Sequence, residues 1–366
     1  MMKVCCIFNM APHYRKPIFS LMNKEFGCDF YFGDRMQIPV KKLNYNDLDG
    51  FKGELHNVFI GPFYWQRKSL RIAFKKYDNY ILLGEPFCLS TWVIVLICRL
   101  LGKNVITWTH GFYGREGGVK LMVKKVFFSL FSKILVYNEY AIRIMQENGI
   151  KASKMLCVAN SLDTDNQKVI RKTLKETDIF SSHFGNDNPI IMYIGRIQKT
   201  KRLDLLVGSF GLLRKQGVKC NLIIVGKDDE NVGLDMIVND LKLNDVVWFY
   251  GPCYDEKTIG EMFYNASVCV SPGNVGLTSI HALTYGCPVV THDNFSYQMP
   301  EFEAITPDVT GGFFKYDDVE DLAHTIKIWL EKTPEERANI RLKAYETIDT
   351  KWNVHYQIEV IRKVLR

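Results

Sequence analysis

The 366-residue sequence contains no apolar run long enough to span a bilayer. Its longest, residues 92–101, is broken by Arg99 and covers about half of what a membrane-crossing helix needs. Residues 4–8 are too short for the core of a secretory leader. The ten cysteines show neither a CxxC pair nor a Cys/His spacing, which excludes a zinc finger or ribbon. Several sit inside apolar strand-like runs, so they are expected to be small buried hydrophobes of a reducing, cytoplasmic compartment. Low-complexity tracts and short repeats are also missing. Neither residues 9–12 nor residues 195–198 provide the GxGxxG turn of a dinucleotide-binding oxidoreductase or epimerase. Asp47/Asp49 and Asp163/Asp165 match a metal-binding pair by spacing alone, and no metal or cofactor is expected from them.

What is present is a long alternation of strand-like and helix-like segments. Apolar runs at 3–8, 29–32, 57–60, 80–83, 104–109, 134–137 and 155–158 alternate with amphipathic stretches, the pattern of an α/β domain with a parallel sheet. Residues 166–188 are polar and charged and are expected to form a linker between a first domain at 1–165 and a second at 189–348. The second series has strands at 190–194, 221–225, 246–250 and 267–270. A last helix within 349–366 is expected to pack back on the first domain.

Ligands of doubly wound sheets bind at the carboxyl ends of the strands. In the first domain that rule selects His13, Glu85 and His110. In the second, Gly195, Gly226, Gly251 and Gly276 each follow a strand, a recurrence of ligand-approach points along one sheet edge. The turn 272–276 leads into a helix predicted to begin near Leu277, where backbone N–H groups favour an anion.

Residues 117–137 interleave Lys120, Lys124, Lys125 and Lys133 with Phe127, Phe128 and Phe131. The composition suits either a membrane-surface contact through Lys120, Lys124, Lys125, Phe127, Phe128 and Phe131, or a core helix with snorkelling lysines. The net charge of +7 is moderate; it is compatible with a polyanionic ligand or an anionic lipid surface, and no nucleic-acid partner is expected.

Residues 193–204, 223–226, 276–290 and 303–311 resemble the donor-binding domain of glycosyltransferase family 4, and 137–140 and 158–163 extend the resemblance upstream. The family implies the GT-B fold, two Rossmann-like doubly wound domains facing each other across a cleft. It also implies retaining transfer of a sugar from a nucleotide carrier, UDP or GDP, to a glycan or lipid-linked acceptor in polysaccharide biosynthesis. Carried over by position, Arg196 and Lys201 hold the donor diphosphate, Gly251 and Pro252 read the base, and His110 faces the sugar. Gly195, Gly226, Lys227, Asn274, Val275, Gly276, Leu277, Thr278 and Glu303 complete the implied donor set, with His13 and Glu85 on the acceptor side. One departure stands out: where the family has two glutamates eight residues apart, this chain has Gly273 and His281. The loss of the first carboxylate leaves open a weakened enzyme or an inactive nucleotide-binding scaffold.

Overall fold

The computed structural model describes residues 3–37 and 40–365. The chain divides into two compact units, one formed by residues 1–163 with 353–366 and the other by residues 164–352.

In unit 1 the elements run β1 (Val4–Phe8), α1 (Lys16–Phe26), β2 (Asp29–Gly33), β3 (Phe51–Leu55), β4 (Asn57–Ile60), β5 (Phe63–Gln66), α2 (Leu70–Ala73) and β6 (Asn79–Leu83). They continue with α3 (Leu89–Leu100), β7 (Asn104–Thr109), α4 (Gly118–Ser129), β8 (Lys133–Val136), α5 (Glu139–Glu147) and β9 (Met155–Cys157). Seven of these strands form a parallel sheet in the order β3-β2-β1-β6-β7-β8-β9. Val4–Phe8 is buried along its whole length, as a strand covered on both faces must be. The run at 57–60 does not join this sheet. It pairs antiparallel with β5 as a separate hairpin, and the sheet edge is taken by β3, whose alternating polar sequence carries no continuous apolar signal.

Crossovers between parallel strands are right-handed, so the direction of travel across the sheet fixes the face of each helix. The chain moves one way from β1 to β3, and the other way from β6 to β9. Accordingly α1 packs on one face, against Phe8, Phe30, Phe32 and Trp108. On the other face lie α3, α4 and α5, whose Ile94, Phe127, Phe128 and Met145 pack against Ile7, Leu82 and Val136. The C-terminal helix of unit 1, at Val354–Arg362, adds Val354, Ile358 and Ile361 to the α1 face. It is pinned there by Gln357, which donates to Ala159 O at 3.1 Å and accepts from Ser161 Oγ at 2.6 Å, and by Asn104 Nδ2 donating to Val364 O at 2.9 Å.

Unit 2 opens with α6 (Thr164–Arg171) and α7 (Ser181–Phe184), so the polar stretch 166–188 carries helices instead of a bare linker. The reason is visible in α6, where Gln167 is buried and donates to Glu256 at 2.8 Å. There follow β10 (Ile190–Ile194), α8 (Leu203–Lys215), β11 (Asn221–Val225), α9 (Leu234–Asp240), β12 (Val247–Gly251) and α10 (Glu256–Asn265). The unit ends with β13 (Val268–Ser271), α11 (Thr278–Thr284), β14 (Val289–His292), β15 (Gly311–Phe314), α12 (Val319–Leu330) and α13 (Pro334–Thr350); the helix at Val354–Arg362 is then α14. Its six strands are parallel in the order β12-β11-β10-β13-β14-β15. Side-chain caps set several helix starts: Asp255 accepts from Thr258 N, Asp318 from Glu320 N and Asp321 N, and Thr333 with Glu336 makes a reciprocal capping box.

Candidate functional site

Each strand order reverses direction once. In unit 2 the reversal falls between β10 and β13, and the crevice beyond their carboxyl ends is where such sheets hold ligands. The loops 195–202 and 272–277 meet there. Gly273 N donates to Lys201 O at 3.0 Å, and Thr278 Oγ1 donates to Ile194 O at 3.3 Å. A Cβ on Gly273 would come within 2.2 Å of Thr200 O and 2.8 Å of Lys201 Cα. The position is glycine because the neighbouring loop fills the space a side chain would need.

Lys201 closes a 3-10 turn, and Arg202 after it sits in the left-handed region at φ +51°. That backbone is unfavourable for an arginine, and ion pairs from Arg202 to Asp204 at 3.0 Å and Asp317 at 2.6 Å hold it in place. The turn aims Lys201 Nζ at Asn274, where it donates to the backbone O at 2.6 Å and to Oδ1 at 2.8 Å. Burial and the nearby charge of Arg196 push the Lys201 ammonium down to about 8. Arg196 itself is exposed, its carbonyl accepting from Tyr193 OH at 2.8 Å. The charge of Arg196 therefore acts on Lys201 at the loop crossing, opposed by the buried Glu301 nearby; among the described residues no carboxylate is hydrogen-bonded to Lys201, an arrangement suited to an anion. α11 spans only seven residues, so the anion-holding capacity rests on these side chains.

A buried brace, which no periodicity or motif announces, fixes the second loop. Gln298 accepts from Val275 N at 2.9 Å and donates to Thr291 Oγ1 at 2.7 Å and His292 O at 3.1 Å. Thr291 Oγ1 in turn reaches Ser271 O at 2.8 Å and Gly273 O at 3.1 Å. Ser279 Oγ joins Gly276 O to Glu301 O, and Glu303 lies half-buried in the same 3-10 turn, Pro300–Ala304.

The other glycines of the sheet edge have separate tasks. Gly226 lies so close to Gly195 O that a Cβ would stand 1.9 Å from it, and Gly251 takes φ +85° and accepts from Gly226 N at 2.9 Å. Pro252 follows, exposed, and Leu277 is half-buried at the N-cap of α11. Lys227 is paired with Asp229 at 2.8 Å on the surface.

His281 is turned onto Glu256. Its Nε2 lies 2.8 Å from Glu256 Oε1, which also accepts from Tyr285 OH at 2.7 Å and Gln167 Nε2 at 2.8 Å. Burial works against the carboxylate, but these hydrogen bonds outweigh it and hold Glu256 at about 2. A carboxylate whose folded value lies below its unfolded one stabilises the fold above the unfolded value, and loses that contribution as pH falls toward the folded one. Glu256→Gln is thus expected to lower stability at pH 7, with the gap to wild type narrowing between pH 4.5 and about 2. Urea unfolding across that range measures it; a gap that stays constant with pH removes the ionic part of the account.

Unit 1 reverses between β1 and β6, and there Glu85 accepts from Asn9 Nδ2 at 3.2 Å and Tyr64 OH at 2.7 Å. Burial raises its pKa, against the pull of those two bonds. His110, beyond β7, stacks near Tyr137 at 4.8 Å and Tyr113 at 6.1 Å. Burial, then the charges of Arg15 and Lys124, drive its pKa down to about 4, so the imidazole is neutral at pH 7. Arg15, missed in the sequence, lies buried over the Trp108 ring at 4.8 Å and donates to Tyr137 OH. His13 is exposed, its backbone N bonded to Lys41 O at 3.0 Å.

The expected membrane contact is corrected in its residues. Phe127, Phe128 and Phe131 are fully buried, because the aromatic side of α4 packs on the sheet. Lys124 is paired with the buried Glu116 at 2.6 Å, which accepts from Tyr113 N and Gly114 N at 3.1 Å. Only Lys120 and Lys125 of the six are exposed. Among the described residues, no helix is long and apolar enough to cross a membrane.

Residues 175–347 match the family model for glycosyl transferases group 1. An uncharacterized 41.2 kDa protein in the cps region of Klebsiella pneumoniae is 22% identical over 303 residues, covering 81% of this chain and 74% of that one. Among solved structures, Anabaena HepE in complex with UDP superposes with a TM-score of 0.74 at 15% identity, over 99% of both chains. The lipopolysaccharide outer core galactosyltransferase WaaB, in its apo form, gives 0.72 at 14% identity, again over 99% of both. The two parallel α/β sheets have the GT-B fold of these solved structures, and residues 175–347 are similar to the glycosyl transferases group 1 family.

Proposed function

We propose that the protein is a retaining glycosyltransferase that moves a sugar from a nucleoside diphosphate, UDP by preference, to a glycan or lipid-linked acceptor in polysaccharide assembly. The observation that carries this is the crossing of loops 195–202 and 272–277 at the sheet's switch point, with Lys201 at it and the charge of Arg196 acting on that lysine. The UDP bound by HepE supports the choice of nucleotide.

In this reading the diphosphate sits against Lys201 and Arg196. The bond between the sugar's anomeric carbon and the β-phosphate oxygen breaks, and its electron pair leaves with the nucleoside diphosphate. The two cations stabilise the charge that grows on that oxygen. The acceptor hydroxyl adds to the anomeric carbon on the same face and gives its proton to the departing phosphate, which explains retention without a carboxylate nucleophile. Asn274, held by Lys201, and the backbone of residues 273–277 take over contacts to the sugar that a carboxylate at 273 would make. Glu303 lies in the 3-10 turn Pro300–Ala304, whose Glu301 O accepts from Ser279 of α11. His281, engaged by Glu256, serves the placement of α11. The neutral imidazole of His110 is suited to a hydrogen bond with a hydroxyl and not to charge neutralisation. The site is expected to act on the cytoplasmic side of the membrane.

The test is a panel of nucleotide sugars incubated with purified protein and read by mass spectrometry, beside thermal unfolding with each nucleotide. Slow donor hydrolysis with at least one sugar, and a rise in Tm with its nucleotide, are expected. No Tm change with any nucleotide at millimolar concentration defeats the proposal. Binding without turnover on any acceptor favours the alternative that Gly273 motivates, a nucleotide-binding scaffold.

A further inference from the structure

Helix α4 has two apolar sides. One, with Phe127 and Phe128, faces the sheet. The other, formed by Val119, Met122, Val123 and Val126 at i, i+3, i+4 and i+7, is 72%, 60%, 40% and 51% exposed. A regular helical stripe of this kind normally marks the side turned to a partner. Helix α3 repeats the pattern with Leu89, Leu96 and Leu100, the last 88% exposed, and Leu101 follows it in solvent. The two helices cover successive crossovers between β6, β7 and β8, so they lie side by side on the same face. Trp92 meets Phe127 at 4.9 Å, and Arg99 donates to Leu130 O at 2.8 Å.

The charge on α3, α4 and the loops between them is predominantly of one sign; the exposed Glu139 and Glu147 belong to α5, the next helix on the same face. Between residues 86 and 138 the sequence has seven basic residues and one acidic, Glu116. The Glu116 side chain is 3% exposed and paired with Lys124, while Arg99, Arg115, Lys120 and Lys125 reach solvent. A second copy of the chain would cover the apolar stripes only by bringing two basic surfaces together. An anionic lipid surface covers them and neutralises the cations at once.

We propose that the outer face of α3 and α4 docks on an anionic bilayer, with Met122, Val123, Val126, Leu96 and Leu100 entering the acyl boundary and Lys120 and Lys125 meeting headgroup phosphates. The inference rests on the glycosyltransferase reading only for its purpose, access to a lipid-linked acceptor; lipid binding itself is independent of donor chemistry.

The test is flotation of the full chain with vesicles of phosphatidylcholine alone and of phosphatidylcholine with phosphatidylglycerol in equal parts. Binding to the anionic vesicles, weakened by salt, is expected. Lys120→Glu and Lys125→Glu should each lower the partition by roughly fivefold or more. Met122→Asp with Val126→Asp should remove binding while the circular dichroism melt is unchanged, since both side chains are in solvent. Equal binding to both vesicle types, no binding to either, or a dimer in solution that Met122→Asp dissociates would overturn the proposal. Lys201→Ala separates the two readings: it should lose donor turnover and float as wild type does.

Discussion

Lys201→Ala is expected to lower turnover of the nucleotide-sugar donor by about 10²–10³-fold, the usual cost of removing one preorganised group that stabilises a developing oxyanion. The lysine does two things at once. It holds Asn274 through two hydrogen bonds of 2.6 and 2.8 Å, and it supplies a positive charge next to Arg196. A kinetic comparison of Lys201→Ala with Lys201→Gln distinguishes the tasks, because glutamine can still bond to Asn274 but carries no charge. Both variants should be slow if the charge matters most. The ammonium titrates at about 8 in the free protein, so nucleoside diphosphate affinity should weaken by up to about tenfold per pH unit above that value. Calorimetric titration of UDP at pH 7 and pH 9 measures it. An affinity that does not move between those values, in a protein whose Lys201→Ala form turns over normally, leaves no role for this residue.

Gly273→Glu, which restores the side chain the family resemblance implies, is expected to make the protein worse. Any Cβ at this position meets the backbone of Thr200 and Lys201 at 2.2 and 2.8 Å, and backbone cannot rotate aside as a long side chain can. Accommodation requires loop 195–202 to move, which breaks the bond from Gly273 N to Lys201 O and swings Lys201 away from Asn274. Overpacking of this kind costs about 1–3 kcal/mol of stability, and the displaced lysine should add a loss of turnover comparable to that of Lys201→Ala. Gly273→Ala carries the same Cβ and should share the defect. Urea unfolding and donor turnover on both variants check this. A Gly273→Glu protein with gained activity would mean that the loop moves aside on its own, and that the glycine is a lost ligand instead of a packing requirement.

The parts of this molecule that were legible in the sequence are those carried by continuous apolar runs. Residues 190–194 and 221–225 are buried on both faces of a parallel sheet, so nothing polar interrupts them, and the glycines that follow mark the strand ends. The edge strand Phe51–Leu55 was illegible because its alternate residues face solvent, and the run at 57–60 reads as a sheet strand although its partner is a local hairpin. The same limit applied to α4. Both of its sides are apolar, and periodicity alone does not say which is inward; aromatic bulk decided it, with Phe127 and Phe128 filling the space beside Trp92. At the candidate site, Gly195, Lys201 and Gly273 were found through spacing and resemblance. Gln298 was not, because it is a single polar residue whose importance comes from being buried within reach of Val275 and Thr291. The Glu256 and His281 pair was hidden for a similar reason, since 25 residues separate its members.

The attachment of α14 to the α1 face has a consequence for biosynthesis. One whole side of unit 1 is roofed in part by Val354, Ile358 and Ile361, and Ala159, Ser161 and Asn104 find hydrogen-bond partners in residues beyond 352. Those residues emerge from the ribosome only after all of unit 2 has been made. Unit 2 is contiguous and can complete its core during translation, whereas unit 1, begun before it, waits with an uncovered apolar flank until the residues beyond 352 have followed. Of the two units, the one begun before the other is therefore the one that needs protection longer, and a chaperone that shields α1 through that interval would influence yield more than one acting on unit 2.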